Sequence, residues 1–225
     1  MNWSGTQNPP APDTAPGERL PVYLWPDAAP DAGGGAHDIF VLAVRTDEGR
    51  QRERARLQIR EAVRVALSRV LDIDPAAIAL PAAQGRAPRV VLNPAPARAG
   101  INATETAAAT AAPSGIGISI SHESGLSLAA VNLRGAIGVD LMRVHEVADW
   151  EVVARDYLGP DAARTLAAIP AGQRAKAFAA AWTAREAGLK CLGLALQEWQ
   201  PAPLPCRQLE LLLPDGYAGS VAIPF

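Results

Sequence analysis

Two carboxylates in unusual settings are the residues of this chain best suited to chemistry. Asp140 interrupts the apolar run I-G-V-D-L between Val139 and Leu141, and Glu186 lies inside W-T-A-R-E-A-G-L-K, residues 182–190. A strand interior disfavours Asp, and a carboxylate buried without a partner is costly. Asp140 therefore asks for a compensating positive charge, and a hard cation bound by oxygen ligands would supply it. The plainer alternative is a strand-terminal Asp that accepts backbone hydrogen bonds. Glu186 and Lys190 are four residues apart, so a helix puts them on one face together with Thr183. Such a pair is by itself most often a solvated salt bridge. Trp182 beside it, and a second carboxylate from another element, make it a candidate site.

His122 follows S-I-S at the end of an alternating run, and the chain holds three histidines in all, too scattered for a zinc cluster. Ser121 and His122 cannot form a nucleophile-base pair, because adjacent strand residues point to opposite faces. No G-x-S-x-G elbow is present. G-I-G-I at Gly115 lacks the third glycine and the following helix of a dinucleotide fingerprint, and no P-loop sequence occurs.

Positioning these groups requires a sizeable core, and 225 residues suffice for one domain or two small ones. We expect two halves that share an interface. The net charge of -2 gives no global pull toward nucleic acid or an anionic membrane. The two cysteines, Cys191 and Cys206, fit neither a disulfide framework nor a zinc motif. No apolar stretch reaches the roughly 18 to 20 residues that span a bilayer, and no basic-then-hydrophobic leader opens the chain. These features fit a soluble, cytoplasmic protein.

Along the chain, residues 1–19 are rich in Pro, Ala, Thr and Asn and read as a flexible tail. Residues 20–93 form the expected N-terminal half, with strands at Val22–Trp25 and Ile39–Val44 around the Gly33–Gly35 turn. A helix follows from about Glu48, its apolar face marked by Ile59, Ala62, Val63, Ala66, Leu67, Val70 and Leu71. Its other face carries Arg52, Arg56, Arg60 and Arg64. Asp74-Pro75 reads as the N-cap and first residue of a short helix through Ile78, and Arg89–Leu92 as a strand. Residues 94–114, almost all Ala, Pro, Thr and Asn, read as an insertion or linker. Residues 115–225 form the expected C-terminal half and carry the candidate metal site. Strands are expected at Ile116–Ser121, Leu126–Asn132 and Ile137–Leu141, with turns at Gly125 and Arg134-Gly135. Helices resume after Asp149, and the longest runs from about Gln173 to Leu192 and ends at Gly193. A closing hairpin joins Gln208–Leu213 to Tyr217–Ile223. Mixed strands and helices without a strict βαβ rhythm predict an α+β fold.

Four segments in order, G-R-A-P at 85–88, I-S-H at 120–122, G-V-D-L-M at 138–142 and W-T-A-R-E-A-G-L-K at 182–190, resemble the 4'-phosphopantetheinyl transferases of the monomeric, surfactin-synthetase-activating type. The resemblance runs from about Ile39 to the C-terminus, and the 46-residue spacing of Asp140 and Glu186 matches it. It implies two pseudo-symmetric α/β halves with the active site in the cleft between them, and coenzyme A bound there as co-substrate. It implies transfer of the phosphopantetheine arm to a serine of an apo acyl or peptidyl carrier protein, with release of adenosine 3',5'-bisphosphate. Asp140 and Glu186 would hold Mg²⁺, or Mn²⁺, which also accepts oxygen ligands. Lys190 would neutralise a phosphate oxygen, and Glu186, directly or through a water, would take the serine proton. Arg86, where the family usually has lysine, would grip the coenzyme A phosphates together with Ser121 and His122. A monomer suffices, since one chain supplies both halves of the cleft.

Met142 departs from the pattern, whose commonest form has an acid two residues after the aspartate; a thioether is a poor Mg²⁺ ligand. Glu123, just after the histidine, is the candidate replacement. Arg143 and Arg155 are candidates for meeting an acidic carrier protein. A coenzyme A- or carrier-binding module that has lost transferase activity, with Met142 as its trace, is the alternative.

Overall fold

The computed structural model describes residues 19–30, 38–47, 52–81, 88–93 and 115–225, and its fold is α+β. The tail expected at 1–19 lies outside these residues except for Arg19, which is in a strand, and the Gly33–Gly35 turn, the 94–114 insertion and Arg86 also lie outside them.

Strands β2 (Tyr23–Trp25), β3 (Ile39–Arg45), β7 (Leu126–Asn132) and β6 (Gly117–Glu123) form one sheet in that order. β2 runs parallel to β3, and the other pairs are antiparallel. A second sheet has the order β1 (Arg19–Leu20), β9 (Cys206–Leu211), β10 (Tyr217–Pro224), β8 (Gly138–Arg143). A small ladder joins β4 (Ile78–Ala79) to β5 (Val91–Leu92). The two expected halves interleave: β6 and β7 complete the sheet begun by β3, while β1 pairs with β9. All seven residues of β7 are buried, because this strand is covered on both faces.

The helix α1 (Arg52–Leu71) buries Ile59, Ala62, Val63, Ala66 and Leu67, the stripe that its apolar period predicts. These pack with Leu42, Ala129 and Val131 on the outer face of the first sheet. Alternate residues of the same strands, Val41, Leu128 and Ala130, meet Val139, Leu209 and Val221 between the two sheets. The period of two thus feeds two separate cores.

After β8 come α2 (Trp150–Val153), a π-helical turn at Ala154–Leu158, and α3 (Pro160–Ala168). Then α4 (Ala171–Cys191) crosses the second sheet, and Gly193 ends it with φ +67°, as its sequence position predicts. Several boundaries shift in detail, and the first strand of the closing hairpin, expected at Gln208–Leu213, lies at Cys206–Leu211. The segment after Asp74 is a single 3-10 turn, Pro75–Ala77, still capped by the Asp74 carboxylate on the Ala76 amide. The strand expected at 89–92 narrows to Val91–Leu92, because only two residues find a partner strand.

Gly138 explains how closely α4 lies on the sheet. A Cβ at this position would stand 1.9 Å from the Ala187 carbonyl oxygen. Only glycine lets β8 and α4 approach this far, and that approach brings Asp140 within reach of Lys190 on α4.

Candidate active site

On β8, Val139 and Leu141 point into the core between the sheets, so alternation turns Asp140 toward α4. Asp140 is 6 % exposed and accepts two hydrogen bonds on Oδ1, from Lys190 Nζ at 2.6 Å and from Ser121 Oγ at 2.9 Å. Lys190 also donates to the Val139 carbonyl at 3.3 Å and lies 3.9 Å from Glu186 Oε2. One ammonium therefore serves two carboxylates from different elements. Thr183, on the same side of α4, meets Ser220 Oγ at 3.1 Å, and Ser220 is the cross-strand partner of Asp140. This buried hydroxyl pair sets the rotation of α4, so that Glu186 and Lys190 follow on the face that looks at β8.

Strand β6 presents its two sides to different tasks. Ser119 Oγ accepts the Val139 amide at 3.0 Å, and Ser121 donates to Asp140, so this side pins β6 to β8. His122 takes the opposite side, where Nδ1 lies 2.8 Å from Ser127 Oγ and the ring stays open to solvent on its cavity side. Ser121 and His122 thus have separate partners, as the period of a strand requires.

Ser121, His122, Asp140, Glu186 and Lys190 line one cavity of about 580 Å³. The structure brings together all the expected site residues it describes. It also adds Arg52 and Arg56 from α1. Their spacing on a charged helix face was legible; that this face turns toward β6 was not. An apolar wall completes the cavity, with Val147, Val153, Phe178 and Trp182 among its residues. Trp182 stacks on Phe178 at 6.0 Å and meets the edge of Tyr157 at 5.9 Å, so the wall is an aromatic cluster. Met142 packs into the same apolar cluster, which gives the thioether a role in the wall.

The electrostatics follow from these neighbours. Burial raises the Glu186 pKa above its ordinary 4.5, Asp140 raises it further, and Lys190 pulls it back. The site thus disfavours the charged form of Glu186, mainly because the carboxyl is withdrawn from water. Desolvation pushes the His122 pKa from 6.5 to about 4, and Arg56, Arg60, Lys190 and Arg52 add to the effect. The ring is uncharged at neutral pH, in a cavity whose α1 side is cationic.

Glu123 lies in the cavity wall, but its oxygens are engaged by backbone, accepting the Ser124 amide in the β6–β7 turn at 2.8 Å and the Arg143 amide at the end of β8 at 3.4 Å. Among the described residues no three His, Cys, Asp or Glu side chains gather around one point. The donor set nevertheless suits a hard cation: two carboxylates, one from β8 and one from α4, line the same cavity.

A cationic rim beside paired carboxylates suits a phosphorylated ligand, and the match to known proteins falls on the same elements. Residues 136–221 match the family model described as the 4'-phosphopantetheinyl transferase superfamily. The matched stretch runs from the start of β8 into β10 and contains Asp140, Glu186 and Lys190. The chain is also 32 % identical over 126 residues to the 4'-phosphopantetheinyl transferase HetI of Nostoc sp. (strain PCC 7120). That alignment covers 50 % of this chain and 53 % of the relative, so the chain spans about half the length of the curated relative it matches. Among the described residues no helix is long and apolar enough to cross a membrane.

Proposed function

We propose that this protein is a 4'-phosphopantetheinyl transferase of the surfactin-synthetase-activating type. It moves the 4'-phosphopantetheine arm of coenzyme A to a serine of an apo acyl or peptidyl carrier protein and releases adenosine 3',5'-bisphosphate. The observation that carries this is the Lys190 ammonium placed between Asp140 and Glu186, within the segment that matches the superfamily.

In this reading Lys190 and the arginines Arg52 and Arg56 receive the negative charge of the coenzyme A phosphates, with Arg86 as a further partner. Preorganised charge of this kind is the main catalytic resource in phosphoryl transfer. His122 is an uncharged hydrogen-bonding partner for a phosphate oxygen, and Ser121 holds Asp140 in place. Glu186, a stronger base than an ordinary carboxylate because its pKa is raised, accepts the proton of the carrier serine. The serine oxygen forms a bond to the phosphorus bearing pantetheine, and the bond to the adenosine bisphosphate oxygen breaks. Asp140 and Glu186, joined by Glu123 after rotation of its side chain, would hold Mg²⁺ or Mn²⁺, which when bound neutralises pyrophosphate charge. Phe178 and Trp182 form the apolar side of the cavity.

The cavity is assembled from one chain, which fits action as a monomer, and the uncombined thiols of Cys191 and Cys206 fit a reducing cytoplasm. Met142 favours one second reading, a coenzyme A- or carrier-binding module without transferase activity.

Intact-mass measurement of an apo carrier protein incubated with this protein, coenzyme A and Mg²⁺ tests the proposal, with Asp140→Ala as control. Addition of one phosphopantetheine by the wild type alone supports it. Coenzyme A binding with no mass added to carriers from fatty acid, polyketide and peptide synthesis would establish the inactive module.

A further inference from the structure

Ser127 is an anomaly in β7. It is 0 % exposed, and its neighbours on the same side of the strand, Ala129 and Val131, belong to the apolar core beneath α1. A hydroxyl buried in such a row is unfavourable unless it is hydrogen-bonded, and alanine would satisfy the packing as well. The register of β6 and β7 sets Ser127 directly opposite His122, and its Oγ lies 2.8 Å from His122 Nδ1. The hydroxyl is explained by the imidazole.

The imidazole in turn needs the hydroxyl. His122 stands near the end of β6 with its ring open to the cavity, where rotation about its side-chain bonds would smear its polar edge. Anchoring Nδ1 from below leaves Nε2 as the nitrogen that meets whatever enters. Ser121 and Ser119 are committed to β8, so Ser127 is the side chain that orients this ring.

We propose that Ser127 is a positioning residue: through Nδ1 it holds the His122 ring with Nε2 turned toward the phosphates of coenzyme A in the cavity. This deepens the transferase reading and rests on it for the identity of the ligand. The benefit of Ser127 is then transmitted through His122 alone, which separates it from a general contribution to the core.

A double-mutant cycle over Ser127→Ala and His122→Ala, with coenzyme A affinity read by calorimetry in the absence of any carrier protein, tests this. Losing one hydrogen bond predicts about fivefold weaker coenzyme A binding for Ser127→Ala when His122 is present. In the His122→Ala background the same change has no effect on affinity. With a carrier protein present, Ser127→Ala raises KM for coenzyme A and leaves kcat near the wild-type value. A loss of affinity of equal size in both backgrounds, or none in either, would overturn the positioning role, and melting temperatures of the four proteins show whether the core has changed. A wild type that binds coenzyme A and shows the predicted cycle yet transfers nothing defeats the transferase reading while upholding the role of Ser127. A wild type that binds no coenzyme A overturns both.

Discussion

Lys190 Nζ lies 2.6 Å from Asp140 Oδ1, joining the last turns of α4 to the middle of β8 through a carboxylate that is almost entirely buried. Lys190→Ala would leave that carboxylate with the Ser121 hydroxyl as its remaining side-chain partner. The lysine is about a third exposed, so water moderates the loss. Chemical denaturation should show about 2 kcal/mol less stability. Asp140→Asn in the Lys190→Ala background should recover part of it, because the stranded charge is gone.

The site should also give stability an opposed pH dependence. His122 has a folded pKa of about 4 against an ordinary 6.5. Between those values the unfolded chain binds the extra proton, so this residue contributes stability above pH 6.5 that is lost as pH falls toward 4. Glu186 is shifted upward, so its contribution is complete below pH 4.5 and lost as pH rises through its folded pKa. Melting temperatures of His122→Asn should fall less steeply than wild type on acidification from pH 6.5 to 4. Glu186→Gln should remove the opposite slope.

Gly138→Ala forces a methyl group against the Ala187 carbonyl, 1.9 Å from where the new carbon would sit. Because the obstacle is backbone, α4 must move as a unit. We expect a loss of about 2 kcal/mol, in the range of overpacked cores. Transfer activity should fall more than stability, since the shift draws Glu186 and Lys190 away from Asp140. Denaturation midpoints and carrier-loading rates on the same samples check this.

Glu123→Ala tests the proposal that Glu123 serves as a third metal ligand. If Glu123 turns from the Ser124 and Arg143 amides to join Asp140 and Glu186, then Mn²⁺ binding followed by electron paramagnetic resonance should weaken roughly tenfold. Unchanged Mn²⁺ affinity would confine Glu123 to bracing the hairpin.

The elements were largely readable because their periods are local. Ile116–Ser121 alternates apolar and small polar residues and falls on β6; the Ile59-to-Leu67 stripe is the buried face of α1. Gly193 and the Asp74-Pro75 pair mark ends through backbone preferences that act within a turn. The pairing of these elements was less accessible. No local pattern says that β7 joins β3 across more than eighty residues, or that Arg19–Leu20 lies beside β9.

The same division runs through the site. Asp140 in an apolar strand and Glu186 with Lys190 on one helix face could be picked out from residue type and spacing, because an ionisable group where none is favoured signals its own cost. What the sequence by itself determined is this set of groups, the elements that carry them and the α+β class. Tertiary structure alone decided that Lys190 bonds to Asp140 more closely than to Glu186, its helix neighbour. It also decided that Arg52 and Arg56 face His122, that Met142 belongs to an apolar wall, and that Ser127 anchors an imidazole. These depend on how sheets and helices lie against one another, and that placement comes from burial summed over two cores rather than from any short stretch of chain.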